Sequence, residues 1–322
     1  MTSLSSQFPD HQVLTNALSS ILSGGGSGAG PIRILDRSPL EEGSFLKEIV
    51  TCSFDDGTQS KFFCKYTGGF NHNCHGHRGG VAYEADVYQN VLLPLKVTKP
   101  VFYGSHISST SGEAMLVIEH LDDALRINKH EEAEAAMTLA ARWIGEFHSF
   151  NESRIRDTPT LNFYDAKYYL GWAARTAEFA GELHSTFPWL ATLCYRFEQI
   201  LPLLLEPAPT VIHGEYYPRN ILFRDGTIYP VDWESAAIAA GEIDLVTLTE
   251  AWPEEVGRQC ESEYRMARWP SDPPTSFERT LGAARLYLQF RWLGDQPGWT
   301  TARSALWRFE ELRIAGERLG LI

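Results

Sequence analysis

The stretch 211–234, VIHGEYYPRNILFRDGTIYPVDWE, constrains the fold of this chain more than any other. Val211-Ile212 is an apolar pair that reads as a short buried strand. It delivers His213, Gly214 and Glu215 into a loop running to Asn220. Ile221-Leu222-Phe223 reads as a second strand, Arg224-Asp225-Gly226-Thr227 as a tight turn, and 228–231 as the return strand, with Asp232 at its end. With the turn centred on Asp225-Gly226, Asn220 and Asp232 fall opposite each other or one step apart. Cross-strand neighbours have Cβ atoms about 4.5–5.5 Å apart. An amide oxygen and a carboxylate at that separation can share one hard cation, and magnesium completes its octahedron with water and substrate phosphates. Glu215, five residues before Asn220, places a second carboxylate at the mouth of the same loop. Metal ligands beside a carboxylate that orients an attacking hydroxyl are what phosphoryl transfer needs.

His213-Gly214-Glu215, then Asn220, then Asp232-Trp233-Glu234 resemble the catalytic and metal-binding loops of the aminoglycoside phosphotransferase / choline kinase superfamily. The pattern of that superfamily is H-G-D-x-x-x-x-N followed by an I/V-D-W-E segment. The resemblance implies an α+β, protein-kinase-like bilobal fold, with a small antiparallel β-sheet N-lobe carrying one helix and a larger, mainly helical C-lobe. It implies an ATP- and Mg2+-dependent phosphotransferase acting on a hydroxyl of an aminoglycoside-, sugar- or amino-alcohol-like small molecule. In that scheme Glu215 is the base and His213 braces the loop. Arg219 neutralises phosphate or bridges surface acids. Asn220 and Asp232 hold the metal, with Glu234 as a further ligand. The chain departs from the pattern at Glu215, which stands where the superfamily has Asp. One added methylene moves the carboxylate by about 1.5 Å, and a displacement near 1 Å can cost about 100-fold in rate. Two alternatives therefore stand beside the kinase: a nucleotide-binding module without transfer, and nucleotidyl transfer on the same fold.

Upstream, 32–67 reads as three strands, beginning at 32–34, 45–52 and 61–66, with Asp55-Asp56-Gly57 in the second turn. In a kinase-like lobe the segment Glu41-Glu42-Gly43-Ser44 is where a turn covers nucleotide phosphates, so Gly43 and Ser44 are cofactor candidates. Phe62-Phe63-Cys64-Lys65 ends an apolar strand on a lysine, and a charge that points inward needs a partner. Residues 81–93 form a helical pattern with Val87, Tyr88, Val91 and Leu92 on one face. Glu84 lies three and four residues before Val87 and Tyr88 and shares that face. Lys65 with Glu84 matches the lysine–glutamate pair that holds nucleotide phosphates in kinase-like folds; Lys61 is the competing lysine. Strands at 101–103 and 115–118 lead to Glu119-His120-Leu121-Asp122, which resembles the hinge where backbone groups of Glu119 and Leu121 read an adenine edge.

The intervening TGGFNHNCHGHRGG carries His72, Cys74, His75 and His77, all zinc-capable. No second, distant ligand pair accompanies them, so the stretch reads as a mobile glycine-rich loop near the phosphates or the acceptor. From Glu131 the pattern is helical, with a stripe of Met137, Ala140, Ile144 and Phe147 ending near His148. Helices are expected over 164–179, 190–205, 280–293 and 301–319, the first two contributing to an acceptor pocket. Asp244 is expected to brace the catalytic loop. The organisation is 1–30 as leading helix and flexible linker, 31–118 as N-lobe and 119–322 as C-lobe.

Composition narrows the partners. Net charge is −13, of which −2 falls in residues 1–118 and −11 in the rest. That disfavours nucleic acid and favours a cationic small molecule; for the small-molecule hydroxyl acceptor that the resemblance implies, acidity and aromatics point to a cationic or glycosidic type. No run approaches the ~20 apolar residues of a membrane span, and residues 1–22 lack the pattern of a signal peptide, so a cytoplasmic protein is expected. Five scattered cysteines, an odd number, read as reduced thiols.

Overall fold

The computed structural model describes residues 8–24, 32–41, 43, 45–69, 75–108, 112–158 and 160–322. Their contacts group them into two units. The first takes in the described residues within Met1–Asn73, Arg78–Ala124 and Tyr229–Ser235; the second takes in those within Cys74–His77, Leu125–Ile228 and Ala236–Ile322.

In the first unit, β1 (Arg33–Leu40), β2 (Phe45–Ser53), β3 (Gln59–Gly69), β4 (Phe102–Ile107) and β5 (Ala114–Glu119) form an antiparallel sheet in the order β1-β2-β3-β5-β4. Side chains alternate faces along a strand. Phe62, Cys64 and Tyr66 of β3 therefore join Val50, Cys52, Met115 and Val117 on one face, which is covered by Leu14, Leu18 and Leu22 of α1 (His11–Gly24). A buried carboxylate on this face, Glu48, is met by the Arg37 fork at 2.6 and 2.8 Å and by the Tyr66 hydroxyl at 2.7 Å. Arg37 also donates to the Pro9 carbonyl at 2.9 Å, fixing the start of α1. Lys65, one residue out of phase, points to the other face. There α2 (Gly80–Asp86) packs with its continuation Val87–Leu92, burying Val81, Glu84, Val87, Tyr88, Val91 and Leu92. The expected helix over 81–93 thus widens into π geometry, with Leu93 N–H reaching back to Tyr88 O at 2.9 Å.

The second unit is mainly helical. Its elements include α3 (Ala133–Glu152), α4 (Ala166–Ala180), α5 (Leu183–Thr186), α6 (Leu190–Arg196), α7 (Pro202–Leu205), α8 (Glu242–Thr249), α9 (Glu254–Arg268), α10 (Phe277–Leu293), α11 (Pro297–Thr300) and α12 (Leu306–Arg318). The stripe Met137, Ala140, Ile144 and Phe147 is fully buried, and α3 packs on α9. At Gly145 an added Cβ would lie 2.8 Å from the Tyr264 carbonyl, so glycine sets the approach of the two helices. Asp165 caps α4 by accepting Tyr168 N–H at 2.8 Å. Two expected helices are corrected. Over 190–205 the run breaks into α6, a 3-10 turn Phe197–Ile200, and α7. Pro202 has no N–H to continue the ladder, and its ring crowds the carbonyl four residues back. Over 301–319, α12 begins only at Leu306, after the 3-10 turn Arg303–Ala305.

The short strands carry the motif residues. β6 (Leu125–Arg126), β9 (Ile221–Arg224) and β10 (Thr227–Pro230) form one small sheet in the order β10-β9-β6. Asp225 and Gly226 both have positive φ, 50° and 73°, as a two-residue hairpin turn of matching twist demands. β7 (Asn162–Phe163), β8 (Thr210–Ile212) and β11 (Ala237–Ala239) form another, in the order β7-β11-β8. No helix among the described residues is long and apolar enough to cross a membrane.

Candidate active site

In the first unit, β3 brings Lys65 into a cluster of carboxylates. Its Nζ lies 2.7 Å from Glu84 of α2, 2.6 Å from Asp232 and 3.0 Å from Glu234. Asp232 lies two residues beyond the end of β10 with φ 70°, a left-handed conformation that aspartate tolerates better than most residues. Glu234 sits in the short 3-10 turn Trp233–Ser235. The second oxygen of Glu84 accepts Trp233 N–H at 3.1 Å, and the Glu234 carbonyl accepts Gly79 N–H at 2.7 Å, so backbone bonds fix both ends of the cluster. Lys61 instead pairs at the surface with Asp122, 2.6 Å away. Of the two lysines, Lys65 is the one that pairs with Glu84.

The charges are unbalanced by design of the chain. Burial works against the Lys65 ammonium, but Asp232, Glu84 and Glu234 outweigh it and hold its pKa well above the ordinary lysine value. Burial first, then Asp232, pushes the Glu234 carboxyl up to about 8, against the pull of Lys65. Arg78, 3.5 Å from Glu234, adds a partly exposed second cation. Oxygen atoms of Glu84, Asp232 and Glu234 lie within 4.8 Å of one another. Such an oxygen set suits a hard divalent cation, and a cation there would offset the repulsion from Asp232 that adds to burial in raising Glu234. The residues present thus fit a magnesium ion.

In the second unit, β8 leads into His213-Gly214-Glu215. Asp244, in the first turn of α8, accepts His213 N–H at 2.6 Å and Gly214 N–H at 2.9 Å, and lies 3.1 Å from His148 Nε2. Gly214 has φ 80°, which glycine adopts without strain. Burial pushes the His148 imidazole down to about 4 despite the opposing hydrogen bond to Asp244, so the ring is neutral near pH 7. Asp244 is thereby the brace that the sequence reading expects. His213 Nδ1 accepts Glu215 N–H at 3.3 Å, and Asn220 closes the loop by donating its amide to Glu215 O at 3.0 Å. The Asn220 amide oxygen takes no hydrogen bond among the described residues.

The Glu215 side chain is buried and bonded to Arg291 of α10. Arg291 donates through Nε to His77 Nε2 at 3.0 Å and through Nη1 to the Tyr217 hydroxyl at 3.2 Å. His77 Nδ1 lies 2.9 Å from the Tyr164 hydroxyl and 3.0 Å from that of Tyr168, which in turn meets the Tyr287 hydroxyl at 3.1 Å. His77 is therefore a buried structural partner, with both ring nitrogens engaged. His75 packs edge-on against Trp172; His72 and Cys74 lie outside the described residues. Arg219 is exposed and lies over the rings of Tyr217 and Trp292 at 4.3 and 5.7 Å, not against an acid.

The remaining expected positions are less engaged. Gly43 has φ 103°, and Ser44 lies outside the described residues. Glu119 gives its N–H to Val101 O at 2.8 Å and takes Val101 N–H on its carboxylate at 3.0 Å, beside buried Leu121. The residue that sequence reasoning missed is Arg291. Its signal was a lone charge inside the helical run LYLQFRWL, which needs a buried partner. Nothing local identifies that partner as Glu215.

The model of a family described as the phosphotransferase enzyme family matches residues 83–296, about two-thirds of the chain. No curated protein matches the chain. Among solved structures, choline kinase from Cryptosporidium parvum Iowa II shares 13% identity and a TM-score of 0.62, over 97% of this chain and 98% of that one. Wild-type aminoglycoside 2'-phosphotransferase-IIIa, in complex with GDP, shares 15% identity and a TM-score of 0.58, over 96% and 99%. Spectinomycin phosphotransferase, in complex with ADP and spectinomycin, shares 11% identity and a TM-score of 0.54, over 96% and 94%. These likenesses show the α+β, protein-kinase-like fold.

Proposed function

The chain belongs to the phosphotransferase enzyme family, and on that premise we propose that it transfers a phosphoryl group from ATP to a hydroxyl of a small molecule. The observation that carries this reading is the Lys65 centre, where one buried ammonium is held within 3.0 Å of Glu84, Asp232 and Glu234. Lys65 would bind phosphate oxygens, and Glu84 would keep it in place. Asp232 and Glu234, with Asn220 added by the sequence pattern, would hold Mg2+, whose charge offsets that of the triphosphate. His213 and Asp244 support the loop that presents Glu215, and Arg219 would neutralise phosphate, as the sequence pattern suggests. Glu215 would orient the acceptor hydroxyl and receive its proton as the new O–P bond forms and ADP departs. The transition state of such transfers is loose, so orientation counts for more than strong basicity. Solved structures that share this fold include a choline kinase, an aminoglycoside phosphotransferase and a spectinomycin phosphotransferase. A cationic or glycosidic acceptor accords with those names and with the charge of −13. A cytoplasmic setting, where ATP is supplied, goes with the reading.

One observation favours a second reading. The Glu215 carboxylate is paired with Arg291, which occupies one of its oxygens, and a module that binds nucleotide without transferring phosphate would tolerate that. ATP consumption screened over hydroxylated metabolites and antibiotics, with magnesium omitted as control, separates the two. Mass spectrometry of the product distinguishes gain of phosphate from gain of AMP. Asp232→Asn is expected to abolish turnover with the fold intact; full activity in that variant would remove Asp232 from the metal role.

A further inference from the structure

We infer that Arg291 positions Glu215, and that Arg291, His77 and the surrounding tyrosines form a mould in which glutamate, not the family's aspartate, is the carboxylate this loop requires. The inference rests on Glu215 being the group that orients the acceptor. Both charges are buried, at 3% exposure for Glu215 and 4% for Arg291, and a buried guanidinium is tolerated only when its charge and donors are matched. Burial works against the Arg291 charge, yet the acidic groups facing it, Tyr217 and then Glu215, hold its pKa well above the ordinary arginine value. The guanidinium is a rigid planar fork. With Nε committed to His77 and Nη1 to Tyr217, the direction of Nη2 towards Glu215 is set.

His77 is fixed in turn. Arginine only donates, so His77 Nε2 must accept, and the ring proton sits on Nδ1, facing the hydroxyls of Tyr164 and Tyr168. Those two rings stack with centroids 3.8 Å apart. A chain of fixed parts therefore runs from Tyr287 through Tyr168, His77 and Arg291 to the Glu215 carboxylate. Glutamate carries one more rotatable bond than aspartate, and this array removes the freedom that bond adds. Engagement of Oε1 by Arg291 does not exhaust a carboxylate, which offers about four acceptor sites. Aspartate at 215 would draw the carboxylate back by about 1.5 Å, breaking the contact with Arg291 and leaving two buried charges apart.

The test compares wild type with Glu215→Asp, Arg291→Lys and the double variant. Glu215→Asp, although it restores the family residue, is expected to lower kcat about 100-fold, as is Arg291→Lys, with KM for ATP and ADP affinity unchanged. The double variant is expected to lose little more than either single one, since the residues act as a unit. Thermal midpoints of both single variants should fall by about 5 °C or more. Imidazole 15N NMR should show His77 as the Nδ1–H tautomer in wild type and a changed pattern in Arg291→Lys. A Glu215→Asp protein with unchanged or raised kcat and midpoint would overturn the inference, as would Arg291→Lys with wild-type kcat and an unaltered His77 signal. Should wild type phosphorylate no acceptor, the function reading fails, while the midpoints and the NMR signal still judge the mould.

Discussion

Replacing Asp244 by Asn tests how the catalytic loop is held. Asp244 is fully buried and receives His213 N–H at 2.6 Å and Gly214 N–H at 2.9 Å, one on each oxygen, with His148 Nε2 3.1 Å away. Asparagine keeps the shape but turns one acceptor into a donor. Whichever way the amide lies, one of the two loop N–H groups then faces an NH2. A hydrogen bond to a charged group contributes about 1.5–3 kcal/mol, and a buried donor left without an acceptor costs about 1–3 kcal/mol. One bond lost outright and one weakened put the cost at about 3–4 kcal/mol. Against a typical domain stability of about 5–15 kcal/mol, the variant should still fold. Urea unfolding followed by tryptophan fluorescence should show a lower midpoint at unchanged m-value. Turnover should fall with it, because His213 and Gly214 aim Glu215. An Asp244→Asn protein within about 0.5 kcal/mol of wild type, a shift usual for surface substitutions, would refute the account of the brace.

Other outcomes follow from the same geometry. Lys65→Met is expected to cut ATP turnover at least about 100-fold, while Lys61→Met, which loses only an exposed ion pair, stays within about twofold; equal losses would contradict the choice of lysine. His148 has a folded pKa of about 4 against an ordinary value of 6.5. The unfolded chain therefore binds more protons between those pH values, and stability present above 6.5 is lost as pH falls towards 4. The loss is roughly 3 kcal/mol at most, and a His148→Gln variant should lack this part of the pH profile in urea titrations. Gly145→Ala would place a Cβ 2.8 Å from the Tyr264 carbonyl and 2.9 Å from the Ala267 Cβ. Overpacking of that kind costs about 1–3 kcal/mol, and a thermal midpoint equal to wild type would show that α3 and α9 have room to part.

Much of the fold was legible because its rules are local. Alternation along β3 and the helical spacing of Glu84 with Val87 and Tyr88 put Lys65 and Glu84 on inward faces, and the structure joins them at 2.7 Å. Asp225-Gly226 announced its hairpin because few other pairs adopt positive φ twice in succession. The break in the helix expected over 190–205 was missed, although its cause, the N–H that Pro202 lacks, is local. The widening of the helix after Asp86 was not legible, since it turns on which carbonyl an N–H selects within one packed turn.

The sequence alone determined which residues are chemically able to act: the loop 213–220, the carboxylates at 232 and 234, and a strand lysine with a helix glutamate. Tertiary structure decided which of them are engaged with what. It paired Glu215 with Arg291 across 76 positions and Arg291 with His77 across 214, and it placed Asp244 beneath a loop 30 residues away. The physical reason is one of range. Backbone preference and side-chain periodicity act over a few residues, whereas a buried charge is matched by whichever partner the packing of distant elements brings to it.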